Sequence, residues 1–143
     1  MILFDTNILI DHTLGIWQAT EELARHDDAA ISAISWMETT CKLSQLHVAL
    51  FDESLHKAGI KVMQTTPAIM RRAAALRGQT RRKLPDCIIR ATAELDGRVV
   101  VTRNAVDFGG CSNTAVRIPY KLHSDTVTPL HTPPHAPRRA PKT

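Results

Sequence analysis

The sequence predicts an α/β protein whose central, mostly parallel β-sheet is flanked by helices on both faces. The two clearest strand candidates, residues 1–4 and 99–101, are apolar runs without alternation, as expected of strands buried on both faces. Helical patterns separate most successive strand candidates, and this alternation is typical of parallel strands joined by crossover helices. Asp5 directly follows the first run, at the strand end where open α/β sheets place their ligand crevices.

The predicted elements follow the order β-α-β-α-β-α-β-β. The first strand leads into a short helix at residues 7–12. A second helix at residues 18–25 has acidic residues early and basic residues late, as the helix dipole favours. A short buried strand is predicted at residues 29–33.

The next helix is predicted to begin with a capping box. Ser35 and Glu38 have the spacing of an N-cap serine and an N3 glutamate. This helix should end near Leu50, and a further helical piece at residues 51–58 should end at Gly59. The side chains expected to point inward from the first of these helices are Trp36, Met37, Cys41, Leu43 and Leu46.

The second half of the chain begins with a predicted strand at residues 60–63. Thr66 and Pro67 suit the N-cap and N1 positions of a helix, which Gly78 should stop after Arg77. The remaining elements are a basic loop at 79–83, a helix at 86–95, a strand at 98–102, a loop with a helical turn at 103–108 and a final strand at 115–118.

Composition predicts one domain, residues 1–127, followed by a tail. Residues 128–143 are rich in proline, histidine and basic residues, and they have too little apolar surface to offset ordering entropy, so we expect disorder. No run approaches the roughly 20 apolar residues of a membrane span, and no secretory signal is recognisable. The cysteines, Cys41, Cys87 and Cys111, form no C-x-x-C pair, which favours a cytoplasmic location over a disulfide framework or zinc site.

The positive charge of the chain is concentrated in one stretch. The net charge is +4, and no acidic residue stands between Glu53 and Asp86. A basic cluster of this kind suits a polyanion, because neutralising phosphates releases counterions. The alternative is a solvated helix face that binds nothing. The residues of the cluster are Arg71, Arg72, Arg77, Arg81, Arg82 and Lys83.

Acidic and amide side chains recur near predicted strand ends. Asp5 ends the first strand, Glu38 follows the second, and Asp86 opens the helix before the strand at 99–101, which Asn104 and Asp107 then follow. The carboxyl ends of parallel strands lie at one edge of a sheet, so these side chains are expected to converge. Each acid could instead serve as a helix cap or a turn residue.

A cluster made of oxygen ligands favours a hard divalent cation, Mg²⁺ or Mn²⁺, over zinc. None of the seven histidines has a partner at ligand spacing, and His12, His26, His47 and His56 are expected on the surface. A carboxylate-bound metal beside an arginine-rich stretch indicates phosphate chemistry, in which the metal activates a water molecule for in-line attack. Thr6 and Ser35 lack a neighbouring base, so they are assigned to capping and to hydrogen bonds around the carboxylates.

Four motifs agree in order and spacing with a known family. They are Asp5-Thr6-Asn7, Ser35-x-x-Glu38, Leu84-Pro85-Asp86-x-x-Ile89-x-Ala91-Thr92-Ala93 and Thr102-Arg103-Asn104-x-x-Asp107-Phe108. Together they resemble the PIN domain, and more narrowly the VapC toxins of bacterial type II toxin–antitoxin modules, over about residues 1–118. The resemblance implies a three-layer, PIN-like nuclease domain at residues 1–127.

The resemblance also implies an activity and its partners. It implies a Mg²⁺-dependent endoribonuclease, with Mn²⁺ able to substitute, that hydrolyses RNA by metal-activated water. It further implies a cytoplasmic homodimer, inhibited by a small antitoxin whose C-terminal segment enters the active-site groove.

The roles of the metal-binding acids follow from the matched positions. Asp5, Glu38 and Asp86 are the implied metal-binding catalytic acids, and Asp107 completes the set. Asn104 stands where many relatives have a second aspartate, so it is a further candidate ligand. The residues expected to hydrogen-bond around the acids are Thr6, Asn7, Ser35 and Thr102. The residues expected to contact RNA are Arg81, Arg82, Lys83 and Arg103.

Two other functions are compatible with parts of the pattern. A phosphohydrolase with Asp5 as covalent nucleophile also needs a strand-end aspartate and Mg²⁺. Such an enzyme generally has a second aspartate where this chain has Asn7 and a later lysine where it has Arg103, which disfavours it. The remaining alternative is a non-catalytic module that binds RNA or protein, since sequence does not determine metal occupancy.

Overall fold

The computed structural model describes residues 1–108 and 115–122, with only the backbone of Asp107. Its strands form one five-stranded parallel sheet in the order β3-β2-β1-β4-β5. The strands are β1 (Ile2–Phe4), β2 (Ala29–Ser32), β3 (Lys61–Met63), β4 (Val99–Val101) and β5 (Val116–Arg117). The predicted α/β fold with a parallel sheet is therefore confirmed.

Six α-helices and one 3₁₀ turn surround the sheet within the described residues. They are α1 (Thr6–Thr13), α2 (Trp17–Arg25), α3 (Ala33–Thr40), α4 (Gln45–Lys57), α5 (Pro67–Thr80), α6 (Leu84–Asp96) and the 3₁₀ turn Ala105–Phe108. No helix in this part of the chain has the length and apolar character needed to cross a membrane.

The two faces of the sheet carry separate cores because successive side chains of a strand point in opposite directions. Phe4 and Val101 pack with buried residues of α1, α2 and α4. Their neighbours Leu3 and Val100 pack on the other face with Ile89 of α6. Helix α5 in turn packs on α6 through a third cluster. Helices therefore cover both faces, as predicted.

The predicted capping box at Ser35 is wrong. Helix α3 begins at Ala33, and its N-cap is Ser32, whose Oγ accepts a hydrogen bond from Ile34 N at 3.3 Å. Because Ser32 is also the last residue of β2, the helix follows the strand without a loop. Ser35 is consequently a buried residue inside the helix.

The predicted helix over residues 35–50 is also divided differently. Helix α3 ends at Thr40, and α4 begins after Ser44, whose Oγ accepts a hydrogen bond from His47 N. This second N-cap divides the helical sequence before residue 50. Met37, Cys41 and Leu46 are exposed rather than internal, whereas Trp36 and Leu43 pack partly against the core.

Helix α5 continues through Gly78, contrary to prediction, and ends at Thr80. Its C-cap is Arg81, which has a left-handed φ of 54°. The guanidinium of Arg77 donates hydrogen bonds to the carbonyls of Arg81 and Arg82 and so holds this turn. The basic loop is therefore restricted to residues 81–83. The predicted tail at 128–143 and Cys111 lie outside the described residues.

His12 joins three helices and is half-buried, contrary to its predicted surface location. Its Nε2 lies 3.2 Å from Ser54 Oγ, and its Nδ1 lies 2.8 Å from Thr20 Oγ1. The Ser54 hydroxyl donates to the Phe51 carbonyl, so Nε2 carries the proton that Ser54 accepts. Burial lowers the pKa of His12, which favours its neutral form in the folded protein.

Replacing Arg81 with glycine should stabilise the fold, because glycine adopts a positive φ without the steric cost that arginine bears there. The hydrogen bonds from Arg77 end on backbone carbonyls and are retained. We expect the free energy of unfolding, measured by urea denaturation, to rise by about 1 kcal/mol in Arg81→Gly. The matched control is Arg81→Ala, which loses the same side chain but keeps the strain. Equal stabilities of the two variants would contradict the prediction.

His12 should make the stability of the protein depend on pH. Since its pKa is lower when folded than when unfolded, the unfolded chain binds more protons, and stability falls as pH decreases below about 6.5. Urea denaturation of wild type and His12→Gln at about pH 7.5 and 5.5 measures this contribution. We expect a smaller loss of stability at low pH in His12→Gln than in wild type, and an unreduced loss in His56→Gln, which alters an exposed histidine.

Candidate active site

The candidate site lies at the carboxyl edge of the three middle strands of the sheet. Asp5 directly follows β1, Thr102 directly follows β4, and Ser32 ends β2. The neighbouring strands β2, β1 and β4 are parallel and in register, so all three ends lie side by side. This is the edge at which open α/β sheets bind ligands.

The carboxylate of Asp5 is held from two sides. Its Oδ1 accepts a hydrogen bond from Thr6 N at 2.7 Å, and its Oδ2 accepts one from Thr102 Oγ1 at 2.8 Å. Its backbone N–H donates to the Val101 carbonyl at 2.9 Å, which continues the pairing of β1 with β4. Asp5 therefore serves as the N-cap of α1 while its carboxylate lies at the carboxyl edge of the sheet, so the capping and functional interpretations are compatible.

Thr6 connects this edge to helix α3. Its hydroxyl Oγ1 lies 2.9 Å from Glu38 Oε1 and 3.0 Å from Ser35 Oγ, and it can donate its single proton to either oxygen. Glu38 and Ser35 lie about one turn apart on α3, so both face α1. The structure thus brings Glu38 next to the residue that follows Asp5.

Thr102 is the centre of a second set of hydrogen bonds. Its Oγ1 donates to Asp5 and accepts from Asn7 Nδ2 and from Asn104 N, both at 3.0 Å. Asn7 Oδ1 accepts from Arg103 N at 3.3 Å. Thr6, Asn7, Ser35 and Thr102, which the sequence assigned to hydrogen bonds around the acids, therefore all lie in one network with Asp5 and Glu38.

The remaining acids occupy neighbouring elements. Asp86 is the third residue of α6, which packs beside α3, and it is half-exposed. Asn104 is exposed, and the side chain of Asp107 lies outside the described residues. Among the side chains that the structure describes, no three His, Cys, Asp or Glu residues are grouped so that they could hold a metal ion.

The donor set at this edge nevertheless suits Mg²⁺ or Mn²⁺. In proteins Mg²⁺ is usually bound through one or two carboxylates and completes its shell with waters and substrate phosphates. Asp5 and Glu38 supply such carboxylates, and both contact Thr6. The hydrogen bonds that restrain Asp5 also fix the direction in which its oxygens point.

The basic loop at residues 81–83 lies beside the turn that follows β4. Arg81 and Lys83 are exposed, and Lys83 is the N-cap of α6, three residues before Asp86. The guanidinium of Arg82 donates a hydrogen bond to the carbonyl of Val106 in the 3₁₀ turn. The loop and the turn that contains Asp107 are therefore joined directly.

Arg103 has a partner that sequence reasoning missed. Its Nε donates to Asp11 Oδ2 at 2.5 Å and its Nη2 donates to Asp11 Oδ1 at 3.1 Å, so the two side chains form a two-point ion pair. Asp11 is 1% exposed. In this structure the Arg103 side chain is thus engaged within the protein rather than directed to a ligand. In the sequence, Asp11 directly follows the apolar run Ile8-Leu9-Ile10. This position indicates a buried carboxylate, which needs a cationic partner.

Comparison with known structures identifies several similar proteins. A chain of a toxin–antitoxin complex from Klebsiella pneumoniae is 36% identical, with a TM-score of 0.72, over 85% of this chain and 100% of that chain. VapBC2 from Rickettsia felis, bound to a DNA fragment from its promoter, gives 20% identity and a TM-score of 0.65 over 82% and 98% of the two chains. FitAcB from Neisseria gonorrhoeae is 22% identical, with a TM-score of 0.55, over 83% of this chain and 98% of that chain. At these lower identities the last two show a shared fold.

The family comparison is consistent with these structures. A search of curated protein sequences gives no match. The PIN domain profile matches residues 2–108, which include Asp5, Glu38, Asp86 and the motif at 102–108. The resemblance seen in the four sequence motifs is confirmed, and the chain belongs to the PIN domain family.

Proposed function

We propose that this chain is a Mg²⁺-dependent endoribonuclease and the toxin of a toxin–antitoxin pair. PIN domains are generally nucleases, and the 36%-identical Klebsiella pneumoniae structure is a toxin–antitoxin complex. The observation that carries the proposal is the placement of Asp5 and Glu38 around Thr6 at the carboxyl edge of the sheet. That edge provides oxygen donors suited to a divalent cation and to phosphate chemistry.

The residues proposed to hold the metal are Asp5, Glu38 and Asp86, with Asp107 or Asn104 completing the set. Bound there, Mg²⁺ or Mn²⁺ would polarise a phosphoryl oxygen and lower the pKa of a water molecule. The protein's own contribution is to hold the carboxylates. Thr102 and Thr6 N restrain the two oxygens of Asp5, and the Thr6 hydroxyl restrains Glu38. No protein nucleophile is required, since hydrolysis uses water.

RNA is proposed to lie across the basic loop. Arg81 and Lys83 are exposed there, and Arg82 joins the loop to the turn after β4. A strand of RNA held by this loop would have its phosphates close to the element that carries Asp86. Cations at such positions contribute sequence-independent affinity that depends on salt.

The proposed protein partners are a small antitoxin and a second copy of this chain. The antitoxin is supported by the similarity to the 36%-identical chain of a toxin–antitoxin complex from Klebsiella pneumoniae. The homodimer, the occupation of the active-site groove by the antitoxin and the cytoplasmic location rest on the family resemblance.

Cleavage of a mixed RNA pool tests the proposed activity. We expect wild type to cut RNA with Mg²⁺ or Mn²⁺ and to lose activity with EDTA. Asp5→Asn and Glu38→Gln should each lose on the order of 100-fold in rate, because each removes a proposed metal ligand. Glu53→Gln, which alters an exposed acid of α4, should cut like wild type. If wild type binds RNA but leaves it intact in both metals, the non-catalytic alternative is supported.

Neutralising the basic loop should weaken RNA binding and its dependence on salt. In the Asp5→Asn background with EDTA, the double variant Arg81→Ala/Lys83→Ala should bind RNA more weakly. The logarithm of the RNA association constant falls linearly with the logarithm of the salt concentration. The magnitude of this slope should decrease by about 0.7 for each lost phosphate contact. The matched control is Lys57→Ala/Lys61→Ala, which removes two exposed lysines near the start of β3, at the opposite edge of the sheet. Equal slopes in the two double variants would show that the loop does not hold RNA.

A further inference from the structure

Asp11 collects three hydrogen bonds from distant parts of the chain. It lies one turn after Asn7 on the same face of α1 and is 1% exposed. Its carboxylate accepts two hydrogen bonds from the guanidinium of Arg103, which form the two-point ion pair. Its Oδ2 also accepts a hydrogen bond from Tyr120 Oη at 2.7 Å. Arg103 follows β4, and Tyr120 comes from the segment after β5. Asp11 therefore joins α1 to both segments.

This cluster is continuous with the candidate active site. Arg103, fixed by Asp11, donates its backbone N–H to Asn7 Oδ1. Asn7 Nδ2 donates to Thr102 Oγ1 at 3.0 Å, and Thr102 donates to Asp5 Oδ2 at 2.8 Å. Hydrogen bonds, connected through the side chains of Asp11, Arg103 and Asn7, thus link Tyr120 to the carboxylate of Asp5.

The composition of the cluster indicates a role in orientation. Asp11 is buried and Arg103 is partly buried, and such an ion pair adds little net stability because desolvation of the charges offsets their attraction, so stability alone does not account for it. Two parallel N–H donors from one planar guanidinium fix the relative orientation of the two side chains, which a lysine would not do. Burial and Asp11 raise the pKa of Tyr120, so its hydroxyl remains a hydrogen-bond donor near neutral pH.

We propose that Asp11, Arg103 and Tyr120 are positioning residues that hold Asn7 and Thr102, and through them the Asp5 carboxylate, in the geometry that binds the divalent metal. This proposal rests on the proposed function, since it assigns a role toward the same metal site. It gives Arg103 a structural purpose and differs from the prediction that Arg103 contacts RNA.

The test compares Asp11→Asn, Arg103→Lys and the double variant with wild type. Arg103→Lys keeps the charge that an RNA phosphate would need but loses the two-point geometry. The matched control is Arg98→Lys, which makes the same change in a buried arginine that pairs with Asp28 and Asp96 at the opposite edge of the sheet. Should Asp11→Asn fail to fold, Tyr120→Phe removes a single hydrogen bond from the same carboxylate.

Three measurements are made on each variant that folds by circular dichroism. They are Mn²⁺ affinity without RNA by electron paramagnetic resonance, the kcat and KM for RNA cleavage, and the ¹³C chemical shift of the Asp5 carboxyl carbon in metal-free protein. We expect Asp11→Asn and Arg103→Lys each to weaken Mn²⁺ binding by about 10-fold or more and to lower kcat with little change in KM. The double variant should resemble the single ones, because both act through one cluster.

The Asp5 carboxyl shift should move in these variants and stay unchanged in Arg98→Lys. Unchanged Mn²⁺ affinity and an unchanged Asp5 shift in folded Asp11→Asn, Arg103→Lys or Tyr120→Phe would overturn the proposal. If wild type neither binds Mn²⁺ nor cuts RNA, the proposed function fails, and the Asp5 shift still decides whether the cluster orients Asp5.

Discussion

The pairing of β1 between β2 and β4 is the constraint on which the rest of the structure depends. The register aligns Phe4 with Ile31 and with Val101, so the residues after these positions are neighbours at one edge. The hydrogen bond from Asp5 N to the Val101 carbonyl extends this alignment by one residue and places Asp5 beside Thr102. A slip of one residue would turn every side chain of β1 to the opposite face.

The helices that follow β1 and β2 begin without an intervening loop. Asp5 and Ser32 are the N-caps of α1 and α3, so strand end, helix start and candidate site coincide. As a result Thr6, in the first turn of α1, reaches Glu38 in the middle of α3. A helix start requires a polar cap, and the proposed metal would require oxygen ligands. The same short segments contain groups that suit both requirements.

Local sequence patterns predicted those features that depend on neighbouring residues. The apolar runs at β1 and β4, a helix at 86–95, observed as α6, and the position of Asp5 after β1 were predicted because periodicity and strand ends are local properties. The helix starts at Ser32 and Ser44 were missed because several serines could serve as caps, and tertiary packing selects among them. Helix α5 passes Gly78 because the side chain of Arg77 supports a left-handed Arg81 instead.

The candidate site was predictable in part for the same reason. Asp5, Thr6, Asn7 and Thr102 adjoin strand ends, and their convergence follows from a parallel sheet. The pairing of Arg103 with Asp11 joins positions 92 residues apart, and no local pattern specifies such a partner. Arg103 was therefore interpreted, from its charge and its position near the acids, as an RNA contact.

The sheet order has a consequence for how the chain reaches its native state during synthesis. Ile2 of β1 aligns with Ala29 of β2, but its other neighbour is Val99 of β4, 97 positions later. The central strand therefore keeps one unpaired edge until most of the domain has left the ribosome. Pairings between such distant segments form slowly, because the chain loses the entropy of closing a long loop before the stabilising contacts form. The nascent chain accordingly exposes an apolar edge for most of its translation, and the edge that carries the candidate site is completed only when β4 arrives.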